Sequence, residues 1–427
     1  MNFLNRFIEK NIYIIIFSFL FIQPFLDVFT GVCMNYFHIS ITLSSIVRLL
    51  FFIFCCYFLL FINGNKKLYK FVFLIFFYFI FFSGGILLYK GFNVLSFEFK
   101  NLLNTFYFPI VVISLIEMFN KYNLVFSVKN IFVLYTVYCI LVFIPNIFNI
   151  GFDSYSIAKV GSVGWFLSAN AVGNILCILL PFVIYYLLQG NINMFFKIIC
   201  ILLSLYVFFS IGTKVPIVGL LLCVAINFIY YFINFVRLKR YKFVVLSVLV
   251  TFILAISALL IIPKTSFYKN IQIHKEFLGI NSYFDVFKDY KLVDHFIFSQ
   301  RLTFLSNTNN SYVSSNFYEK VFGIGYIENY GTDSLSTKTI EIDYFDILYR
   351  HGFLGFIIYF SIIVPYFIQV FKKLKLCKLI DLESFICIIL VLLLAFFSGH
   401  VFVAPAVSIF IALIISNILG GSYEKIS

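Results

Sequence analysis

The chain is written as long apolar runs broken by short polar segments, and the length of the runs is that of a membrane crossing. Spanning roughly 30 Å of hydrocarbon takes about 20 apolar residues at 1.5 Å each. Such runs fall at 12–29, 39–62, 71–89, 102–119, 130–150, 166–188, 195–211, 215–236, 243–262, 353–371, 384–398 and 403–419. The last two are short and close together, so they fit two thin spans or a re-entrant pair. The pattern predicts an all-α membrane protein of about twelve transmembrane helices, nine within residues 1–262 and three within 343–427. A single long connection, 263–342, lies between them. Inside it, Tyr283–Leu305 alternates aromatic and charged residues at helical spacing, which predicts amphipathic helices lying on the rim of the bundle rather than a free linker. A long loop that is ordered is usually a functional one.

Composition agrees with lipid as the solvent. Hydrophobic residues make up 63% and charged residues 11%, where a soluble domain carries about 25% charged; the mean hydropathy is +1.04. The 62 Phe and 29 Tyr against a single Trp reflect an AT-rich coding bias rather than an aromatic function. A net charge of +13 would suit nucleic acid, but the cations stand in short clusters between apolar runs: Lys66, Lys67, Lys70; Arg237, Lys239, Arg240, Lys242; Lys372, Lys373, Lys375, Lys378. That is the positive-inside pattern, not a face for a duplex.

With the N-terminus inside, the inner segments hold 17 Lys and Arg, while the short outer segments hold four: Lys90, Lys100, Lys159 and Lys214. This asymmetry predicts a multi-pass protein of the cytoplasmic membrane with both termini cytoplasmic and the long loop extracytoplasmic. The loop together with Asp343 holds nine of the 18 acidic residues. Eight of the nine Cys fall in or beside apolar runs, Cys377 lies in a basic loop, and no CxxC pair exists. That pattern predicts neither disulfides nor a zinc site. The first run is too long for a cleaved signal peptide and lacks a small-residue cleavage site, so it is expected to remain as a helix.

Several segments in order resemble the O-antigen ligase and polymerase superfamily of bacterial surface-polysaccharide enzymes. The opening Gln23-Pro24-Phe25-Leu26-Asp27-Val28-Phe29-Thr30-Gly31, with Arg48 in the second span, resembles its Gram-positive members. Gly164-Trp165-Phe166-Leu167-Ser168-Ala169-Asn170-Ala171-Val172-Gly173, running on to Pro181, is similar to the family's Gly-x-Phe and Asn-x-x-Gly helix. Gly212-Thr213-Lys214 stands where the family has Ser-Arg or Thr-Arg, so Lys214 replaces the usual Arg. Ser299-Gln300-Arg301 and Phe322-Gly323-Ile324-Gly325 look like the long loop's Arg and Gly-x-Gly elements. Glu341-Ile342-Asp343-Tyr344 through Gly352-Phe353-Leu354-Gly355 resembles the segment that re-enters the membrane, with Glu341 where ligases tend to carry His.

The resemblance implies a membrane glycosyltransferase of the class C type, working on an oligosaccharide linked to undecaprenyl diphosphate. It implies cationic side chains, rather than a metal or cofactor, to stabilise the departing diphosphate. Arg301 is the first candidate, since guanidinium binds phosphate oxygens bidentately, Lys214 the second and Arg48 a third. Arg48 lies deep enough in its span to require a partner, and Asp27 is at a compatible depth. Asn170 is a further candidate contact. A proton must also leave the acceptor hydroxyl, for which Glu341 and Asp343 are the best-placed carboxylates, with Asp346 one turn on. Each has a bland alternative: a solvated loop Arg, a snorkelling interfacial Lys, a structural ion pair, close helix packing at Asn170, a hydrated acidic cluster. His351 and His400 read as structural, and Gly323-Ile324-Gly325 as a turn, not a nucleotide site.

The function expected is polymerisation of lipid-linked repeat units of a capsular or O-antigen-type polysaccharide, alongside a flippase and a chain-length regulator and with no nucleic-acid partner. Ligation of finished polysaccharide uses the same donor chemistry and is the near alternative. A polysaccharide flippase or secondary transporter is the alternative of another class, disfavoured by the absence of an internal repeat and by the long loop. The charge asymmetry sets the first test. A reporter fused after Tyr283 should be exported and one fused at Lys239 retained in the cytoplasm; a cytoplasmic Tyr283 fusion would reverse the assigned topology.

Overall fold

A computed structural model of the chain describes residues 2–39, 42–155, 160–243, 245, 260–280, 282–327, 339–375 and 378–420. Its regular structure is helical, apart from one isolated bridge between Asp153 and Ser162. The first eight apolar runs become α1 (Asn2–Tyr36), α2 (Leu43–Tyr57, prolonged by a π turn, Phe58–Ile62), α3 (Lys66–Lys90), α4 (Leu95–Tyr122), α5 (Val128–Ile147), α6 (Ala169–Gln189), α7 (Met194–Ile211) and α8 (Lys214–Arg237). Run 243–262 falls almost wholly outside the described residues, as do Lys159, Glu328, Asp333, Cys377 and Lys425. The long loop contributes α9 (Ser266–Phe277), α10 (Arg301–Ser314) and α11 (Phe317–Phe322). The chain then returns through α12 (Asp343–Lys373), α13 (Leu379–Phe397) and α14 (Pro405–Leu419). Among the described residues ten helices are long and apolar enough to cross a membrane; α14 is an eleventh, shorter apolar helix.

Leucine, isoleucine and phenylalanine at nearly every position make these helices apolar all round, as lipid requires, and polar residues mark their ends. Ser127 and Ser168 accept the amides of Asn130 and Ala171 at 3.3 Å each, capping α5 and α6. The most enclosed pair is α4 and α14. Every residue of 407–418 is buried, and so is every residue of 105–119 except Glu117. A helix as short as α14 rises only about 22 Å, and it can do so because its surroundings are other helices rather than lipid.

The amphipathic stretch expected over Tyr283–Leu305 forms as a series of short pieces: a 3₁₀ turn Tyr283–Lys288, a helical turn Tyr290–Val293, a π turn Asp294–Phe298, then α10. The interruptions are chemical. Ser282 and Asp285 form a capping box, Asp289 accepts the amide of Lys291 at 2.9 Å, and Asp294 turns its carboxylate onto α10. Side chains that cap the backbone compete with a continuous helix.

Within α12 the helix breaks at Gly352, whose φ is 67° and ψ 179°. The break frees the carbonyls of Tyr349 and Arg350, which accept the amides of Ile324 (3.0 Å) and Gly325 (3.1 Å). The Gly323–Gly325 turn is therefore docked on the kink, and the Glu98 carboxylate of α4 closes it by accepting the amides of Tyr326 (2.8 Å) and Ile327 (2.7 Å). A methyl group at position 352 would stand 2.4 Å from the nitrogen of Gly323. Gly352→Ala should therefore lose about 2–5 kcal/mol from left-handed strain and overpacking together, read as a lowered unfolding temperature in detergent. Gly84→Ala, whose methyl meets open space, should not; equal stability of the two variants would contradict the docked kink.

Candidate functional site

On the side of the bundle where the long loop lies, a cavity of about 770 Å³ opens between the loop and the ends of α8 and α13. One end is polar, lined by Asn170, Thr213, Lys214, Ser299, Arg301 and Glu341. The remainder is apolar, with Val215, Val218 and Leu222 of α8 facing Leu390, Leu394 and Phe397 of α13. Four of the residues singled out from the sequence, Asn170, Lys214, Arg301 and Glu341, thus share one chamber.

Arg301 is held from both sides. It opens α10 after two non-glycine residues in left-handed backbone, Ser299 (φ 54°) and Gln300 (φ 69°). The buried Asp294 carboxylate fixes that turn by accepting the amides of Leu302 (2.9 Å) and Thr303 (3.0 Å) and the Thr303 hydroxyl (2.6 Å). The guanidinium donates through Nη1 to the carbonyl of Phe397 and through Nη2 to Glu341 Oε2 (2.8 Å) and the carbonyl of Ser398 (3.1 Å). Its buried Nε has no partner among the described residues, and neither does the buried Thr213 hydroxyl across the chamber. Buried donors are normally satisfied, so both groups mark room for an acceptor.

Lys214 begins α8, and its Nζ donates to the carbonyl of Phe296 and stands 4.7 Å from the centre of the Phe296 ring. The turn before it is pinned by Asn270 of α9, which donates to the carbonyl of Gly212 at 2.9 Å and accepts the amide of Val160 at 2.6 Å. The loop that places Phe296 against Lys214 also places Arg301, so the two cations are set by one segment.

Glu341 has a φ of 61°. Its amide and that of Ile340 donate to the buried Asp346 carboxylate at 2.9 and 3.0 Å, which holds the bend. Beyond Arg301, its other neighbour is His400, with Nε2 3.9 Å from Oε1. Burial by itself would raise the Glu341 carboxyl, but hydrogen bonding and charge from His400 and Arg301 outweigh it and draw the group down to about 2. His400 moves the opposite way: burial disfavours its charge, yet Glu341 and the nearby Asp343 hold it above its ordinary 6.5.

Asp343, expected as a second base, is placed elsewhere. It is wholly buried, and its oxygens accept the amides of His400 (2.7 Å), Val401 (2.8 Å) and Phe402 (2.7 Å). It anchors the turn between α13 and α14 and does not line the chamber. Arg48 and Asp27 also lie outside it. They pair at 2.6 Å between α1 and α2, with Gln23 accepting from Arg48 Nε at 2.9 Å. His400 was the residue that sequence reasoning passed over. The one signal it gave was its place directly after a glycine between two unusually short helices. Among the described residues no three His, Cys, Asp or Glu side chains gather as a metal site requires; two cations, an amide and a carboxylate that one cation already holds are a set suited to an anion.

A family model described as O-antigen ligase like membrane protein matches residues 9–291 and 281–421. The chain belongs to this family. No curated protein matches it.

The Glu341–His400 pairing has a pH signature. Glu341 in the fold lies below its ordinary 4.5, so its share of stability is complete above that value and is lost as pH falls toward 2. His400 lies above its ordinary 6.5, so its share is complete below that value and fades as pH rises through the folded value. The stability of the wild type relative to Glu341→Gln should therefore be greatest between 4.5 and 6.5 and shrink on either side. Thermal unfolding in detergent at about pH 3, 5.5 and 9 measures this, and a difference independent of pH would exclude the pairing.

Proposed function

We propose that this member of the O-antigen ligase like membrane proteins polymerises oligosaccharide repeat units carried on undecaprenyl diphosphate, on the outer face of the cytoplasmic membrane. The observation that carries the reading is the chamber itself. Its polar end gathers Arg301, Lys214 and Asn170, and its other end is an apolar slot between α8 and α13. A polyprenyl diphosphate has the same division: a strongly anionic head that asks for fixed cations, and a hydrocarbon chain that asks for a dry groove.

In the reaction, an acceptor hydroxyl forms a bond to the anomeric carbon of the donor sugar while the bond from that carbon to the diphosphate oxygen breaks. The charge that develops on the leaving diphosphate falls to Arg301 and Lys214, whose positions are fixed before substrate arrives, so little reorganisation is required. Glu341 supplies the negative charge toward which the acceptor's proton is drawn. The 17-to-4 distribution of Lys and Arg supports the outer face as the working side, and a flippase must then deliver the donor, with a chain-length regulator as a further partner.

The test is purified protein with lipid-linked repeat units in detergent, without nucleotide sugar, metal or ion gradient. Chain growth is the expected result. Arg301→Ala and Lys214→Ala should each reduce it about 10²–10³-fold at unchanged protein level, while Lys214→Arg, which keeps the charge, should retain it. Transfer only to a different acceptor lipid would identify a ligase. Absence of growth with gradient-dependent movement of the same lipid in vesicles would identify a transporter.

A further inference from the structure

Two side chains flank the Glu341 carboxylate. Arg301, 2.8 Å from Oε2, has a task in the transferase reading, and His400, 3.9 Å from Oε1, does not. The turn that carries His400 is held more firmly than packing requires. Asp343 accepts its amide at 2.7 Å, Asn174 of α6 donates to the carbonyl of Gly399 at 3.1 Å, and Arg301 donates to the carbonyls of Phe397 and Ser398. A side chain at 399 would overlap the backbone of Glu341, 2.5 Å from its carbonyl oxygen. Gly399 therefore lets the turn and the Glu341 strap touch, and His400 follows it in left-handed backbone at φ 54°. Strain of this kind persists where the surroundings over-determine a position, and it concentrates at sites that work.

The other buried histidine of this region provides the contrast. His351 is fully enclosed, and its Nε2 is bonded to the hydroxyls of Thr105 (3.0 Å) and Tyr326 (3.3 Å). Its ring is occupied. The His400 ring is about one-third exposed, and Glu341 is the partner it faces.

We propose that His400 is a further catalytic residue, the base that receives the proton of the acceptor hydroxyl, with Glu341 as the carboxylate that orients and stabilises its charged form. The inference rests on the transferase reading above. With Nε2–H toward Glu341, the lone pair falls on Nδ1. As the acceptor oxygen bonds to the anomeric carbon, its proton passes to Nδ1. The electron pair of the breaking carbon–oxygen bond leaves with the diphosphate. The imidazolium then returns its proton to solvent through the exposed part of the ring. Arg301 is shared between Glu341 and the incoming diphosphate, so donor binding loosens one partner of the carboxylate just as the histidine acquires a charge for it to stabilise.

The charged groups around the ring are Glu341 from the strap and Asp343 and Asp346 from α12, with Arg301 of α10 beyond Glu341; α6 contributes the uncharged Asn174. Three carboxylates outweigh burial and hold the imidazole above 6.5. A base must be neutral to act, so kcat should rise with pH along a limb centred above that value.

The experiment measures kcat against pH with purified protein at saturating lipid-linked repeat unit. His400→Asn is the informative variant, because Asn tolerates left-handed backbone. It should lose about 10²–10⁴-fold and the limb with it, while its Kd for undecaprenyl diphosphate stays within about twofold of wild type. His400→Gly, which relieves the strain and leaves a hole, should regain activity when imidazole is added. A wild-type limb below pH 5, or a His400→Asn enzyme with the limb intact and kcat within tenfold, would overturn the proposal and leave the transferase standing. Wild-type protein that neither grows chains nor binds undecaprenyl diphosphate would overturn the transferase reading and His400 with it.

Discussion

Backbone that leaves a helix inside an apolar bundle exposes amides that neither lipid nor hydrocarbon side chains can satisfy. Three buried carboxylates answer this need at the three irregular segments around the chamber. Asp343 takes the amides of His400, Val401 and Phe402; Asp346 takes those of Ile340 and Glu341; Glu98 takes those of Tyr326 and Ile327. Each carboxylate needs the donors as much as the backbone needs the acceptor, since an unpartnered buried charge is costly. The turn, the strap and the loop end are therefore fixed relative to α4 and α12. Everything that faces the cavity from these segments inherits that placement.

The electrostatics of the chamber follow from this arrangement. Arg301 reaches across to the far turn and, on its way, holds Glu341, so the cation and the carboxylate are locked together before any ligand arrives. A small anion must displace that carboxylate with little else to gain. A ligand that also fills the slot between α8 and α13 brings hydrophobic burial to the same exchange, at roughly 25 cal/mol per Å². Selectivity for an amphiphile over free diphosphate is thus built from two weak preferences in series, a contested cation and an adjoining dry surface.

Much of this was legible in the sequence, and the limits were physical. The helices announced themselves because membrane spans need length and apolarity, which composition carries directly. Lys214, Arg301 and Glu341 were legible because a charged residue at the end of a span or in a long loop has few bland uses. The Arg48–Asp27 pair followed from the cost of an isolated charge in a span. Glu341 and Asp343, two residues apart and of one chemistry, were indistinguishable, because what separates them is the left-handed backbone at 341, which turns one side chain out and the other in. His400 stayed hidden because its partner is distant in sequence, and only the overlap of Gly399 with Glu341 brings them together. The stretch 283–305 had helical spacing, but its capping residues cut the helix into turns that spacing alone does not register.

The pairing of α4 with α14 bears on how the molecule is made. α4 is enclosed along most of its length, and a large share of that enclosure comes from a helix that follows it by roughly three hundred residues, or about 15–60 s of synthesis at 5–20 residues per second. For that interval the nascent bundle has a vacant axis. α4, with Glu98, Thr105 and Ser114 on its flanks, must be sheltered by earlier helices or by the insertion machinery. The interior is completed last, when α13 and α14 slide into a ring already standing. The turn that joins them arrives as the final piece of the chamber, so a ribosome-bound chain stalled before it holds both cations and no partner for Arg301 at 397–398.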